Sequence, residues 1–243
     1  MLRAVITAGG RVTGAFAAAI GTDVKALAPF GNALLIDRAI VALRSAGIAD
    51  IAVVGGDVVA AHVAGPGVRV IAEAGDGAAN VQLALDAWSD GELVFLTSDL
   101  PFVDGASLRA LIDASAAFDL TMPLASGAAY DAAFPGAPPH VTTLGNERVA
   151  NGSAFVMTAA GRAAVRAVAA PFFNARKSAL AMARLLGPGL LLRYALRRLR
   201  IADIERGACR GLGVRAAAVR DASPLLCYDI DTLDDYRYAC ARP

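Results

Sequence analysis

Cysteine, histidine, tryptophan and charge are all scarce in this chain, and each shortage removes a class of function. The three cysteines among 243 residues, Cys209, Cys227 and Cys240, come late and with spacings unlike a zinc site. An odd number also suits a disulfide framework poorly, so they read as reduced, structural thiols of a cytoplasmic protein. The two histidines, His62 and His140, stand far apart without metal-ligand spacing, and each reads as a structural or surface residue. The single tryptophan, Trp88, closes an apolar helical pattern and reads as core. Charged residues make up 19% of the chain and the net charge is +1, which leaves no strong general field for nucleic acid. No uninterrupted apolar stretch reaches the roughly 18 residues of a membrane span. Gly9-Gly10 breaks the first apolar run where a signal peptide would need its hydrophobic region. No internal repeat is present.

What is abundant is apolar: 56% of residues are hydrophobic, which argues against disorder, and the length suits one large α/β domain over 1–243. Short apolar runs at 4–7, 51–54, 68–71 and 93–97 alternate with helix-like segments at 33–45, 78–88 and 107–117. Runs apolar at every position suit strands covered on both faces, so the pattern predicts a parallel sheet between helices. Such sheets bind ligands at the carboxyl ends of their strands, which directs attention to the residues following each run.

The stretch 126–139, rich in Gly, Ala and Pro, reads as a loop or edge excursion within 126–150. Asn151-Gly152-Ser153 leads into a further strand at 154–157. Helical patterns at 162–168 and 176–186 and the apolar, basic stretch 190–200 make 174–210 a helical insertion or interaction region. Its arginines read as a solvated face, with an anionic partner or membrane surface as the other reading. Lys177 and Arg176 read as exposed cations at a helix start. A last strand at 214–219 precedes a short C-terminal helix.

Three clusters follow strand ends. The first run breaks into Ala8-Gly9-Gly10-Arg11, and Lys25 follows. Backbone N–H groups close on an anion only where no Cβ intrudes, and isolated cations supply charge, so this pattern suits phosphate. It is neither common phosphate loop. Arg11 stands where a dinucleotide fingerprint needs glycine, and Ala15-Phe16 stand where a P-loop needs Lys and Ser/Thr. Next, Ser98-Asp99-Leu100-Pro101 follows the run 93–97. It places Asp99 to hold a hard cation such as Mg²⁺ together with substrate phosphates, with Asp104 the better helix cap. Finally, Asp229-Ile230-Asp231-Thr232 offers alternating carboxylates, of which Asp231 is the preferred ligand, while Thr232 can also cap the last helix.

In order and spacing these motifs resemble the NTP-transferase superfamily: molybdenum-cofactor guanylyltransferases, cytidylyltransferases of isoprenoid synthesis and sugar-1-phosphate nucleotidyltransferases. The resemblance implies a three-layer α/β/α sandwich of the nucleotide-diphospho-sugar transferase type, Mg²⁺ dependence and transfer of a nucleotidyl group from an NTP to a small acceptor. Ala8, Gly9, Gly10, Arg11, Lys25 and Ser98 would surround the nucleotide. Lys25, Arg11 and Asp99 would be catalytic, and Asp99 and Asp231 would hold the metal. Gly77 and Asn80, beside Gly75-Asp76, would meet base or ribose, and Asn151 and Gly152 would line the acceptor side. A homodimer is compatible with the family.

One departure stands out. The family's first motif spaces its arginine further from the glycine pair, whereas Arg11 follows it directly. Either Arg11 substitutes from a shifted position or activity is reduced. The second alternative is a non-catalytic nucleotide- or sugar-nucleotide-binding module.

Overall fold

A strand that is apolar at every position can be hidden only by covering both of its faces, and the fold does this across its first half. The structure, a computed structural model, describes residues 1–175 and 188–242. The chain opens with β1 (Leu2–Thr7), α1 (Gly14–Ile20), β2 (Pro29–Phe30), β3 (Ala33–Leu34), α2 (Leu35–Ser45), β4 (Ile51–Gly55) and α3 (Asp57–Val63). There follow β5 (Val68–Ala72), α4 (Gly77–Leu85), β6 (Glu92–Thr97), α5 (Gly105–Ala114), β7 (Leu120–Ser126) and α6 (Gly127–Ala133). The remainder comprises β8 (Thr142–Leu144), β9 (Glu147–Asn151), β10 (Ala154–Met157), α7 (Ala159–Ala175), α8 (Pro188–Ala195), α9 (Ile201–Leu212), β11 (Ala216–Arg220) and α10 (Leu233–Cys240). The helical pattern read at 176–186, with Arg176 and Lys177, lies outside the described residues.

Nine strands form one sheet in the order β5-β4-β1-β6-β10-β7-β9-β8, with β11 also paired to β7. The half β5-β4-β1-β6 is wholly parallel. β10 runs antiparallel to both β6 and β7 and joins that half to the rest. Alternate residues of β1, β4 and β6 serve opposite layers. Ala4, Ile6, Ile51, Val53, Val94 and Leu96 pack with α2, α3 and α5, while Val5, Ala52, Val54, Leu93 and Phe95 pack with α4 and α7. All are buried, and each large aliphatic among them contributes roughly 1.5–3 kcal/mol. This is the α/β/α sandwich. Among the described residues no helix is long and apolar enough to cross a membrane.

Two segments read from sequence as loops contain helices. Residues 14–20 form α1, whose Phe16 and Ile20 are buried, and which ends at Gly21 in the left-handed region at φ 72°. Residues 127–133 form α6, with Ser126 Oγ accepting from the Ala129 amide at 3.2 Å. In both places strong alanine helix propensity acts beside glycines and prolines that mark only the ends. The two helices meet in a third core: Phe16 and Ile20 of α1, Tyr130 of α6 with Phe134 just after it, and Tyr228, Ile230 and Ala239 around α10. That core fixes the loop after β1 against the turn before α10, the two parts of the molecule that carry the candidate site.

Candidate active site

Parallel pairing brings the ends of β1, β4, β5 and β6 to one edge of the sheet. The Ala8 amide donates to Val54 O at 2.8 Å and the Ser98 amide to Thr7 O at 3.2 Å, which stitches the strand ends together. The chain then leaves β1 through Gly9-Gly10 and returns fifteen residues later. The Lys25 amide donates to Gly10 O at 2.9 Å and the Val12 amide to Asp23 O at 2.8 Å, so the intervening α1 excursion closes on itself. The length of this excursion is therefore no obstacle to placing Lys25 beside the glycines. A Cβ on Gly10 would lie 3.3 Å from Lys25 Cε, and one on Gly9 would lie 2.5 Å from Glu73 Oε2 and 2.9 Å from Asn80 Nδ2. Among the described residues, no backbone carbonyl accepts from the Gly9 or Gly10 amide. That leaves two N–H donors for an anion.

Lys25 is the hub. Its Nζ donates to Asp99 Oδ2 at 2.6 Å, to Ile230 O at 2.9 Å and to Asp231 Oδ1 at 3.2 Å. Asp99 reaches it from the end of β6, and Ile230 and Asp231 reach it from the turn before α10. The two segments are tied directly, since the Ile230 amide donates to Asp99 O at 3.0 Å. Burial alone would lower the Lys25 pKa, but the two carboxylates more than offset it and hold it above the ordinary lysine value. The Lys25 and Asp99 side chains are each 14% exposed, whereas Asp231 is 66% exposed. Asp99 Oδ1 is buried without a hydrogen-bond partner, as is the neighbouring Thr97 Oγ1.

A model of the MobA-like NTP transferase domain matches residues 4–199. The chain belongs to that family. It is a nucleotidyltransferase. A hypothetical transferase structure from Thermus thermophilus is similar at 27% identity and TM-score 0.82, over 97% of this chain and 99% of that one. At 18% identity, a 2-C-methyl-D-erythritol 4-phosphate cytidylyltransferase from Thermus thermophilus shares the fold with TM-score 0.57, over 99% and 98% of the two chains. So does the manganese complex of Rv0371c from Mycobacterium tuberculosis, at 19% identity and TM-score 0.55, over 99% and 97%. No curated protein matches the sequence.

In this NTP transferase Arg11 stays apart from the Lys25 cluster. Its guanidinium pairs with Glu73, at the end of β5, and lies 3.7 Å from Asp23 Oδ2, while Nη1 donates to Gly9 O at 3.2 Å. Glu73 follows an apolar run directly, so the strand-end rule that found Asp99 points to it as well. Asn80 accepts from the Ala74 amide at 2.7 Å through Oδ1, and Asp76 caps α4, whose first residue is Gly77. This turn therefore abuts Gly9 from the far side. Ser98 is buried at the end of β6, its amide bonded to Thr7 O.

On the opposite side, Asn151 ends β9 and Gly152 packs against Leu226. A Cβ there would strike the Leu226 carbonyl and lie 2.5 Å from Pro123 Cγ. Gly152→Ala is expected to cost about 2 kcal/mol of stability by overpacking, read by urea unfolding, and a neutral result would contradict this packing. Ser153 Oγ lies 3.5 Å from Asp229 Oδ2, which connects this turn to the site.

His140 is enclosed as well. Nδ1 lies 3.2 Å from Asp229 Oδ1, and Nε2 lies 3.0 Å from Asp235 Oδ1. The hydrogen bond with Asp229 raises its pKa; burial opposes this, and Asp235 adds to the rise. For Asp229 burial works upward, but the His140 hydrogen bond and charge outweigh it and hold the carboxyl below its usual range. A raised histidine pKa contributes stability that is complete below the unfolded value of about 6.5 and is lost as pH rises through the folded value. The melting-temperature advantage of wild type over His140→Gln should therefore shrink as pH rises above about 6.5. An advantage that grows with pH would contradict the pairing.

The residues present suit a small hard cation. Asp99 offers a buried oxygen without a partner, and Asp231 offers an open carboxylate beside the same ammonium. Among the described residues no three His, Cys, Asp or Glu side chains cluster closely enough to form a complete metal cage. Two carboxylates with substrate phosphates and water completing the shell is the Mg²⁺ pattern, unlike a Zn²⁺ or Ca²⁺ site.

Proposed function

We propose that this NTP transferase is Mg²⁺-dependent and moves an NMP group from a nucleoside triphosphate to a small phosphorylated or hydroxylated acceptor, releasing pyrophosphate. The observation that carries this is the convergence of Asp99, Asp231 and the Ile230 carbonyl on the Lys25 ammonium, beside the free amides of Gly9 and Gly10. In this reading an acceptor oxygen attacks the α-phosphorus as the bond to the bridging oxygen breaks, and that oxygen leaves with its electron pair on pyrophosphate. Such a reaction needs positioning and charge neutralisation more than covalent help.

The Gly9 and Gly10 amides cradle the phosphates, with Ala8 and Ser98 shaping the floor. Lys25 faces the charge that grows on the leaving group. With its three donors taken by Asp99, Ile230 and Asp231, the ammonium is a fixed positive charge that needs no reorientation at that moment, and one such preorganised group contributes about 3–4 kcal/mol. Asp99 and Asp231 would hold Mg²⁺, which supplies Lewis-acid polarisation of the attacked phosphate when bound. Arg11, drawn onto Glu73 and Asp23, orders the loop instead of meeting the triphosphate. Gly77 and Asn80 border the nucleoside, and Asn151 and Gly152 the acceptor. Three unpaired cysteines favour a reducing, cytoplasmic setting.

Pyrophosphate release across a panel of NTPs and phosphorylated or hydroxylated acceptors, with and without Mg²⁺, tests the reading. Release that needs both substrates and the cation is expected. Binding of NTP with no release across the panel would contradict it.

A further inference from the structure

The segment between β7 and β9 sends one side chain back toward the site. His140, 13% exposed, lies between Asp229 and Asp235. Its ring is tilted against Tyr228 at 4.9 Å between centroids and Tyr130 at 6.1 Å. Both of its polar neighbours are carboxylate oxygens: Nε2 is hydrogen-bonded to Asp235, and Nδ1 lies within ion-pair distance of Asp229. Asp235 is almost wholly buried at 4% exposure, and its other oxygen accepts from the Asp231 amide at 3.1 Å, the Thr232 amide at 2.7 Å and Thr232 Oγ1 at 2.8 Å. Asp229 faces Ser153 with its second oxygen. Near these two anchored carboxylates lie Ile230 and Asp231, whose carbonyl and carboxylate hold Lys25 Nζ.

We infer that His140 is a positioning residue: by bridging Asp229 to Asp235 it sets the turn 229–232, and with it the Ile230 carbonyl and Asp231 carboxylate against Lys25. The inference rests on the reading of the Lys25 cluster as the transfer centre. His140 touches none of the groups proposed to contact substrate, so its effect is transmitted through the turn. Without the bridge two partly or wholly buried carboxylates repel across the turn, and the turn opens. A displacement near 1 Å of a positioning group is enough to cost about 100-fold in rate.

The experiment compares wild type, His140→Ala and His140→Gln by pyrophosphate-release kinetics and by amide hydrogen exchange, below the melting temperature of each. In His140→Ala the Ile230, Asp231 and Thr232 amides are expected to exchange about tenfold faster, with β1 unchanged. Its kcat is expected to fall about 30-fold. The conservative His140→Gln, which keeps a donor pair, should recover kcat to within about threefold of wild type. A residue that merely staples α10 would lower stability and leave kcat of the folded protein untouched; that result overturns the inference. So does unchanged exchange at 230–232, whatever the activity. If wild type itself releases no pyrophosphate, the functional reading fails, and the exchange comparison still decides whether His140 holds the turn.

Discussion

Asp99→Asn is expected to lower the rate of pyrophosphate release about 10³-fold in a protein that remains folded. The substitution keeps the shape of the side chain and its reach toward Lys25, so packing around the end of β6 is preserved. It removes the negative charge that a divalent cation would need; the remaining amide oxygen still accepts from Lys25, and the new NH2 takes the position of the unpartnered Oδ1. Lys25 keeps the Ile230 carbonyl and Asp231, so stability should fall by only about 1–2 kcal/mol, the size of one hydrogen bond to a charged group. Steady-state kinetics and thermal unfolding on the same preparation separate the two effects. Turnover equal to wild type would remove Asp99 from the reaction.

Lys25→Ala has a different signature. It takes away the ammonium that both carboxylates share, and Asp99, 14% exposed and with one oxygen already unpartnered, is left as a partly buried charge without a counter-ion. Removing one partner of a buried pair costs about 3–5 kcal/mol, and the exposure of Asp231 favours the lower figure. Activity should fall by about 10²–10³, the loss from deleting one preorganised charge that stabilises the transition state. The orphaned carboxylates should then take a cation more readily, so added Mg²⁺ is expected to raise the melting temperature of Lys25→Ala more than that of wild type. Equal Mg²⁺ responses would argue that the two carboxylates do not share a cation site.

How much of this can be read from the chain depends on the range over which each signal acts. β1, β4 and β6 are legible because burial on both faces makes their central positions apolar, a local pattern, while the edge strand β5 shows it more weakly, with Arg69 inside its run. Asp99 is legible because it follows such a run and Pro101 stiffens the turn after it. The pairing of Asp99 with Asp231 as metal ligands comes from the alternating carboxylates at 229–231 and from the family resemblance, and the structure brings both carboxylates onto the Lys25 ammonium, a contact the sequence does not show. The antiparallel insertion of β10 between β6 and β7 is not legible, since strand direction leaves no trace in four apolar residues. β8 and β9 are short and half exposed, and α1 and α6 hide among glycine, alanine and proline that read as loop. Arg11 reads as a phosphate ligand because its partner Glu73 lies 62 residues away. His140 reads as a structural or surface residue, and its partners are hidden for the same reason: Asp229 and Asp235 lie about 90 residues further along the chain.

The most direct test of the whole account is a crystal structure with Mn²⁺ and a non-hydrolysable NTP analogue, read by anomalous scattering. A metal peak bound by Asp99 and Asp231 is expected, with the phosphates seated on the amides of Gly9 and Gly10 beside Lys25. A metal held elsewhere, or a triphosphate lying away from the ends of β1 and β6, would contradict it.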